Sequence, residues 1–168
     1  MHQGPPNGSL DVDPGVYRKV VGRFPTGVTI VTTRLGGIDH AMTVNSFTSV
    51  SLDPLLVLFC AEKRARFHDA VIEAGVWGVS VLAASMEEAS RAFAHRGRSL
   101  EGHLDGWAHH RGQGEVALFD HAIATLQCRT SAVHEGGDHS IVVGEVVALD
   151  TPAEAAPLVY HEGRYRLL

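Results

Sequence analysis

Gly27-Val28-Thr29-Ile30-Val31-Thr32-Thr33-Arg34-Leu35-Gly36-Gly37-Ile38-Asp39-His40-Ala41-Met42-Thr43-Val44 decides the fold. From Val28 to Thr33 every residue is β-branched, the composition of a strand. Leu35-Gly36-Gly37-Ile38 is a turn signal, and Asp39 to Val44 returns as the second arm of a hairpin. Downstream, Leu55 to Cys60 is a continuous apolar run, expected to be a strand buried on both faces. Val76 to Leu82, Ala122 to His134, Ser140 to Leu149, and Pro157 to Leu167 with a turn at Glu162-Gly163 are further strand candidates.

Three short helices are expected between them. Val16 to Arg23 would turn Val16, Val20 and Tyr17 inward. Phe67, Ala70, Val71 and Ala74 form one helical face that Gly75 ends. Met86 to Arg96 has helical spacing at Met86, Ala89 and Phe93, with Ser85 as its N-cap. Residues 95–115 hold five Gly and four His with little apolar periodicity, so a long functional surface loop is expected there. About seven strands joined mostly by turns imply a mainly β fold: an antiparallel Greek-key barrel with a few short flanking helices. Residues 1–14, rich in Gly, Pro, Asn and Asp, read as a mobile tail ahead of one domain over 15–168.

The chain has 168 residues, 45% of them apolar and 20% charged, with a net charge of −5. That mix fits a globular domain with a real core and disfavours nucleic acid as a partner. No apolar run reaches the length of a membrane span, so no membrane is expected. Cys60 and Cys128 lie far apart inside apolar runs and read as two buried thiols of a cytoplasmic protein. Asn7-Gly8-Ser9 matches a glycosylation triplet without a secretory signal beside it.

Few motifs survive a test of context. Gly112-Gln113-Gly114-Glu115-Val116-Ala117 fits a loose dinucleotide pattern but lacks a preceding strand. His103, His109 and His110 have no metal-ligand spacing and read as solvated loop residues. What remains is Ala41 to Ser51, where hydroxyls, an amide and an aromatic offer close-set donors suited to the polar edge of a flat heterocycle. A self-capping Ser/Thr turn explains that composition as well. Arg64 and Arg66 could clamp a phosphate or form a solvated pair. Gly136-Gly137-Asp138-His139 is a tight turn that places a histidine at the start of a strand.

In order, four segments resemble those of the short-chain flavin reductases, which have the FMN-binding split-barrel fold. They are Phe24 to Thr33, Met42 to Pro54, Gly137 to Val146 and Pro157 to Tyr165. The resemblance implies a homodimer of Greek-key split barrels. It implies an enzyme that uses NADH or NADPH to reduce FMN or FAD, often for a separate monooxygenase component. By the same resemblance Thr43, Val44, Asn45, Ser46 and Phe47 would line the isoalloxazine and ribityl chain, with Ser49 and Val50 adding contacts. Arg64 and Arg66 would meet the flavin phosphate, and Phe93 and Ala94 would lie along the flavin. His139, the expected catalytic residue, would position the nicotinamide together with Tyr160, His161, Glu162 and Gly163. Hydride transfer asks only that two rings stack at about 3–3.5 Å with the right atoms facing, so neither a nucleophile nor a metal is needed. One fold hosts many functions, and a flavin- or haem-binding carrier or sensor is the alternative; a pyridoxamine-phosphate oxidase is a third, without a dedicated basic cluster.

Overall fold

The computed structural model describes residues 12–168; residues 1–11, with most of the expected tail and the Asn7-Gly8-Ser9 triplet, lie outside them. The chain opens with α1 (Pro14–Val21), followed by β1 (Thr26–Gly27), β2 (Thr29–Leu35), β3 (Ile38–Val44), β4 (Thr48–Leu52) and β5 (Leu55–Glu62). Then come α2 (Arg66–Ala74), β6 (Val76–Val81), α3 (Glu87–Ala94), β7 (His109–Arg111) and β8 (Ala117–Phe119). The long strands β9 (Ala124–Gly136) and β10 (His139–Asp150) precede a last hairpin, β11 (Val159–His161) and β12 (Arg164–Arg166).

The hairpin forms as its sequence dictates. Gly36 and Gly37 take φ of 58° and 81°, the left-handed values that a two-residue hairpin turn requires. β2 and β3 then pair from Thr29 opposite Val44 to Leu35 opposite Ile38. Around that hairpin grows a seven-stranded antiparallel sheet in the order β3-β2-β6-β9-β10-β5-β4. Its ladder does not close: β3 and β4 are its two ends. β1, β11 and β12 make a separate three-stranded sheet, and β7 pairs with β8.

β2 separates two halves of the core. Ile30 points into a cluster with Leu82, Met86, Phe93, Phe119 and Leu158, beneath α3. Its neighbour Val31 points the other way, among Phe59, Phe67, Val71, Trp77 and Val142, beneath α2. Both helices are therefore fixed by alternate residues of one strand. Asp39 is held by Arg111, with Nη2 donating to Oδ2 at 2.7 Å, which fastens β7 to the hairpin. Burial raises the Asp39 carboxyl, but the hydrogen bond and charge of Arg111 and the charge of Arg34 outweigh it and keep the carboxyl below the usual range.

Several expectations are corrected. The first helix begins at Pro14, inside the expected tail, and Val16, Tyr17 and Val20 are exposed, because no element of the described chain lies under that face. α3 starts at Glu87 after a 3-10 turn at Ala84–Met86, and Ser85 makes no cap. β5 is buried on one face only: Val57, Phe59 and Ala61 are buried, and Leu56, Leu58 and Cys60 are half-buried. The expected long loop contains β7 and ends in a 3-10 turn at Gln113–Glu115. The pattern Gly112 to Ala117 does have a strand before it, β7, contrary to expectation, but a 3-10 turn and then β8 follow it in place of the helix that the motif needs. No helix among the described residues is long and apolar enough to cross a membrane.

Trp77 shows how tightly the second cluster is built. The ring is fully buried, meets Phe59 edge-on at 4.9 Å, and donates its Nε1–H to Thr130 Oγ1 at 3.1 Å. Its six-membered ring lies directly on Gly144 of β10, where a Cβ would overlap Cζ2 and sit 3.1 Å from Cys128 Cβ. Gly144→Ala is therefore expected to overpack the sheet by about 1–3 kcal/mol and to lower the melting temperature by roughly 3–10 °C. An unchanged thermal midpoint would show that the ring has room to move.

Candidate functional site

β3 pairs only with β2, so its other edge is free. Thr29 Oγ1 donates to Val44 O across the pair, which places Val44 on the β2 side. By the alternation of the ladder, Ala41 and Thr43 turn their backbone groups to the free edge. Beside that edge lies a cleft of about 450 Å³. Its walls are β3 itself with Asn45 and Ser46, the end of β5 and start of α2, the end of α3 with the following loop, and His139.

The structure brings together Thr43, Val44, Asn45, Ser46, Arg64, Arg66, Phe93, Ala94 and His139 on one cleft. Tyr160 and Gly163 line a smaller concavity with Arg91 and Tyr165, joined to the first through Ala94 and His95. Phe47, Ser49, Val50, His161 and Glu162 line neither. Phe47 packs against the core under α2, and Ser49 and Val50 lie exposed on β4 at the far end of the sheet.

Hydrogen bonds fix what each lining group can still do. The Thr43 hydroxyl donates to Ser90 O at 2.8 Å, which leaves its lone pairs to accept. Ser46 Oγ accepts the Cys60 N–H at 2.9 Å, which leaves its own proton to donate. Ser90 in turn shares a 2.7 Å hydrogen bond with the Tyr165 hydroxyl, coupling α3 to the last hairpin. His139 Nδ1 meets Asp138 Oδ1 at 2.7 Å. The hydrogen bond from His139 holds the Asp138 carboxyl below the usual range. An ionised carboxylate only accepts, so Nδ1 carries the proton and Nε2 of the neutral ring is an acceptor.

The mouth is strongly cationic. Arg64, Arg66, Arg96 and Arg98 face one carboxylate, Glu62, which Arg96 holds through both oxygens. Arg66 donates to the carbonyl of Arg98, whose own Nη2 donates to His103 O at 3.0 Å. The Arg98 guanidinium also sits 4.5 Å over the Phe93 ring. Arg64 makes no hydrogen bond or ion pair among the described residues. Cys128, far inside the sheet, is pushed up to about 12 by burial and takes no part.

Sequence reasoning missed His40, His95, Arg96, Arg98 and His103. His103 corrects the expectation of a solvated residue: it is buried, edge-on to Phe93 at 5.5 Å, with Nδ1 at 2.7 Å from Ser99 O. The signal on offer was local: His95, Arg96, Arg98 and His103 fall within nine residues of a Gly-containing stretch already expected to be a functional loop. His40 carried none beyond its place two residues before Met42.

The donor set suits a flat ring carrying an anionic tail: paired donors and acceptors beside β3, and guanidinium groups at α2 and after α3. Comparison with known proteins agrees. An NADH-dependent FMN reductase of Streptomyces nodosus subsp. asukaensis is 41% identical over 158 residues, covering 90% of this chain and 83% of that protein. The reductase component of 4-hydroxyphenylacetate 3-monooxygenase of Thermus thermophilus is 38% identical, covering 90% and 95%. The solved structure of an NADH:FAD oxidoreductase of Streptomyces globisporus, in complex with NAD and FAD fragments, superposes with a TM-score of 0.85 at 40% identity, covering 92% and 94%. The model of the flavin reductase like domain matches residues 21–168, and this chain belongs to that family.

Proposed function

We propose that this chain is an NADH-dependent flavin reductase that reduces FMN or FAD and releases it to a separate monooxygenase component. The cleft beside β3 carries the proposal, because it joins ring-sized polar recognition to a cationic mouth in one continuous wall. A bound flavin supplies the chemistry, accepting hydride from the nicotinamide. The chain supplies placement. Thr43 offers an acceptor and Ser46 a donor to the polar edge of the ring, and the exposed Asn45 side chain adds both. Val44, Phe93 and Ala94 give the ring apolar contact. Arg64, free of other partners among the described residues, is the group placed to meet the phosphate, with Arg66 beside it.

His139 acts as a positioning group. Its Nε2 lone pair accepts from the carboxamide N–H of the nicotinamide, and Asp138 keeps the ring in the tautomer that this needs. Tyr160 and Gly163, in the adjoining concavity, receive the rest of the dinucleotide. A second copy of the chain covers the half-buried outer face, where Leu58 and Cys60 of β5 lie opposite Val143 and Ile141 of β10. Two unpaired cysteines support a cytoplasmic location.

Mixed anaerobically with FMN or FAD, the protein and NADH should bleach the flavin absorbance; binding without bleaching would make the chain a carrier. Arg64→Ala should weaken FMN about ten-fold and riboflavin little, as expected for loss of a charge-assisted phosphate contact. His139→Ala should raise KM for NADH and leave FMN affinity nearly intact; equal effects on both ligands would remove that residue from the nicotinamide side. Light scattering should give a mass twice that of the 18.0 kDa chain.

A further inference from the structure

His40 has no assigned task, yet its surroundings are unusual. It is only 9% exposed, lines the cleft, and makes no hydrogen bond among the described residues. Its Nδ1 is sealed from solvent without a partner. A neutral imidazole carries one proton, on one ring nitrogen or the other. A sealed N–H without an acceptor is among the rarest features of folded proteins, and a bare lone pair is the less costly orphan. The proton therefore belongs on Nε2. A second proton would have to sit on the sealed Nδ1. Burial, and then the neighbouring charges of His103 and Arg66, hold the ring's pKa below the usual histidine value, against the weaker pull of Asp39. His40 thus faces the cleft as an uncharged N–H donor.

The same wall holds a second set of unused donors. The residue before α2 is Ala65, which has no side-chain oxygen to cap the helix. The Ala65 N–H is taken by Glu62 O at 3.0 Å, but the N–H groups of Arg66 and Phe67 have no partner among the described residues; all three residues line the cleft together with His40, and α2 packs on β3. A group with several acceptor oxygens and a negative charge suits all of these donors at once, as a phosphate does at a helix start. A ring carbonyl could use His40 alone and would leave the helix start bare.

Resting on the flavin-reductase proposal above, we propose that His40 is a phosphate-recognition residue, whose neutral Nε2–H donates to the phosphate on the ribityl chain of the flavin, next to the open first turn of α2. It adds a directed hydrogen bond where the arginines add charge.

Titration of FMN and of riboflavin against the wild-type protein, His40→Gln and His40→Leu tests this. The Gln side-chain amide reaches the place of Nε2 and keeps a donor there; Leu keeps only bulk. His40→Leu should weaken FMN about ten-fold, with riboflavin within about two-fold of wild type and His40→Gln close to wild type for both. If His40→Leu weakens both flavins equally, or neither, the proposal is overturned. If the wild-type protein itself binds FMN no better than riboflavin, the phosphate site fails as a whole and His40 with it. Melting temperatures report folding. Should His40→Leu not fold, His40→Asn, whose shorter amide cannot reach the Nε2 position, replaces it and should lose FMN where His40→Gln does not.

Discussion

The site depends on a strand edge that nothing pairs. β3 is hydrogen-bonded to β2 and to no other strand, and the ladder stops there instead of meeting β4. An open edge is normally a hazard, because its amides and carbonyls invite another strand. Here it is flanked by the first turn of α2 on one side and the last turn of α3 on the other, so the gap is a walled cleft. Closing the sheet would use up the backbone groups of Ala41 and Thr43 and remove the cleft. Both helices reach their places because alternate residues of β2, Ile30 and Val31, anchor the two cores that carry them.

Charge is distributed with the same economy. Glu62 takes Arg96, and backbone carbonyls take Arg66 and Arg98, so these side chains are aimed before any ligand arrives. Phe93 holds Arg98 from below and His103 from the side. Guanidinium groups held in this way lose less conformational freedom on binding than free ones would. Arg64 is the exception, a cation near the mouth without a structural duty among the described residues.

Much of this was legible in the chain. The β-branched run, the Gly36-Gly37 turn and the αL glycine at Gly75, φ 66°, are local signals and appear where the sequence puts them. Thr43, Ser46, Arg64, Arg66 and His139 come together because they sit at the ends of strands whose order follows from antiparallel pairing. Phe47, Ser49 and Val50 do not line the cleft of a single chain, since the turn after β3 leads the chain on to β4. His40 and His103 were opaque for a different reason. Their burial arises from tertiary packing against α2, α3 and the 95–108 segment, and a histidine looks alike in sequence whether solvated or enclosed. The exposed apolar face of α1 likewise shows that helical periodicity predicts a face that seeks cover without saying what covers it.

The cationic mouth has a kinetic side. In a molecule of net charge −5, the general field repels a dianionic visitor, while four clustered guanidinium groups make one attractive gate in it. Approach is then steered to that gate, an effect that reaches about 8 Å at physiological salt and shrinks as salt is added. Encounter frequency should therefore depend on the ionic medium, whereas dwell time depends more on the short contacts inside the cleft. The molecule can catch its ligand quickly without being obliged to keep it.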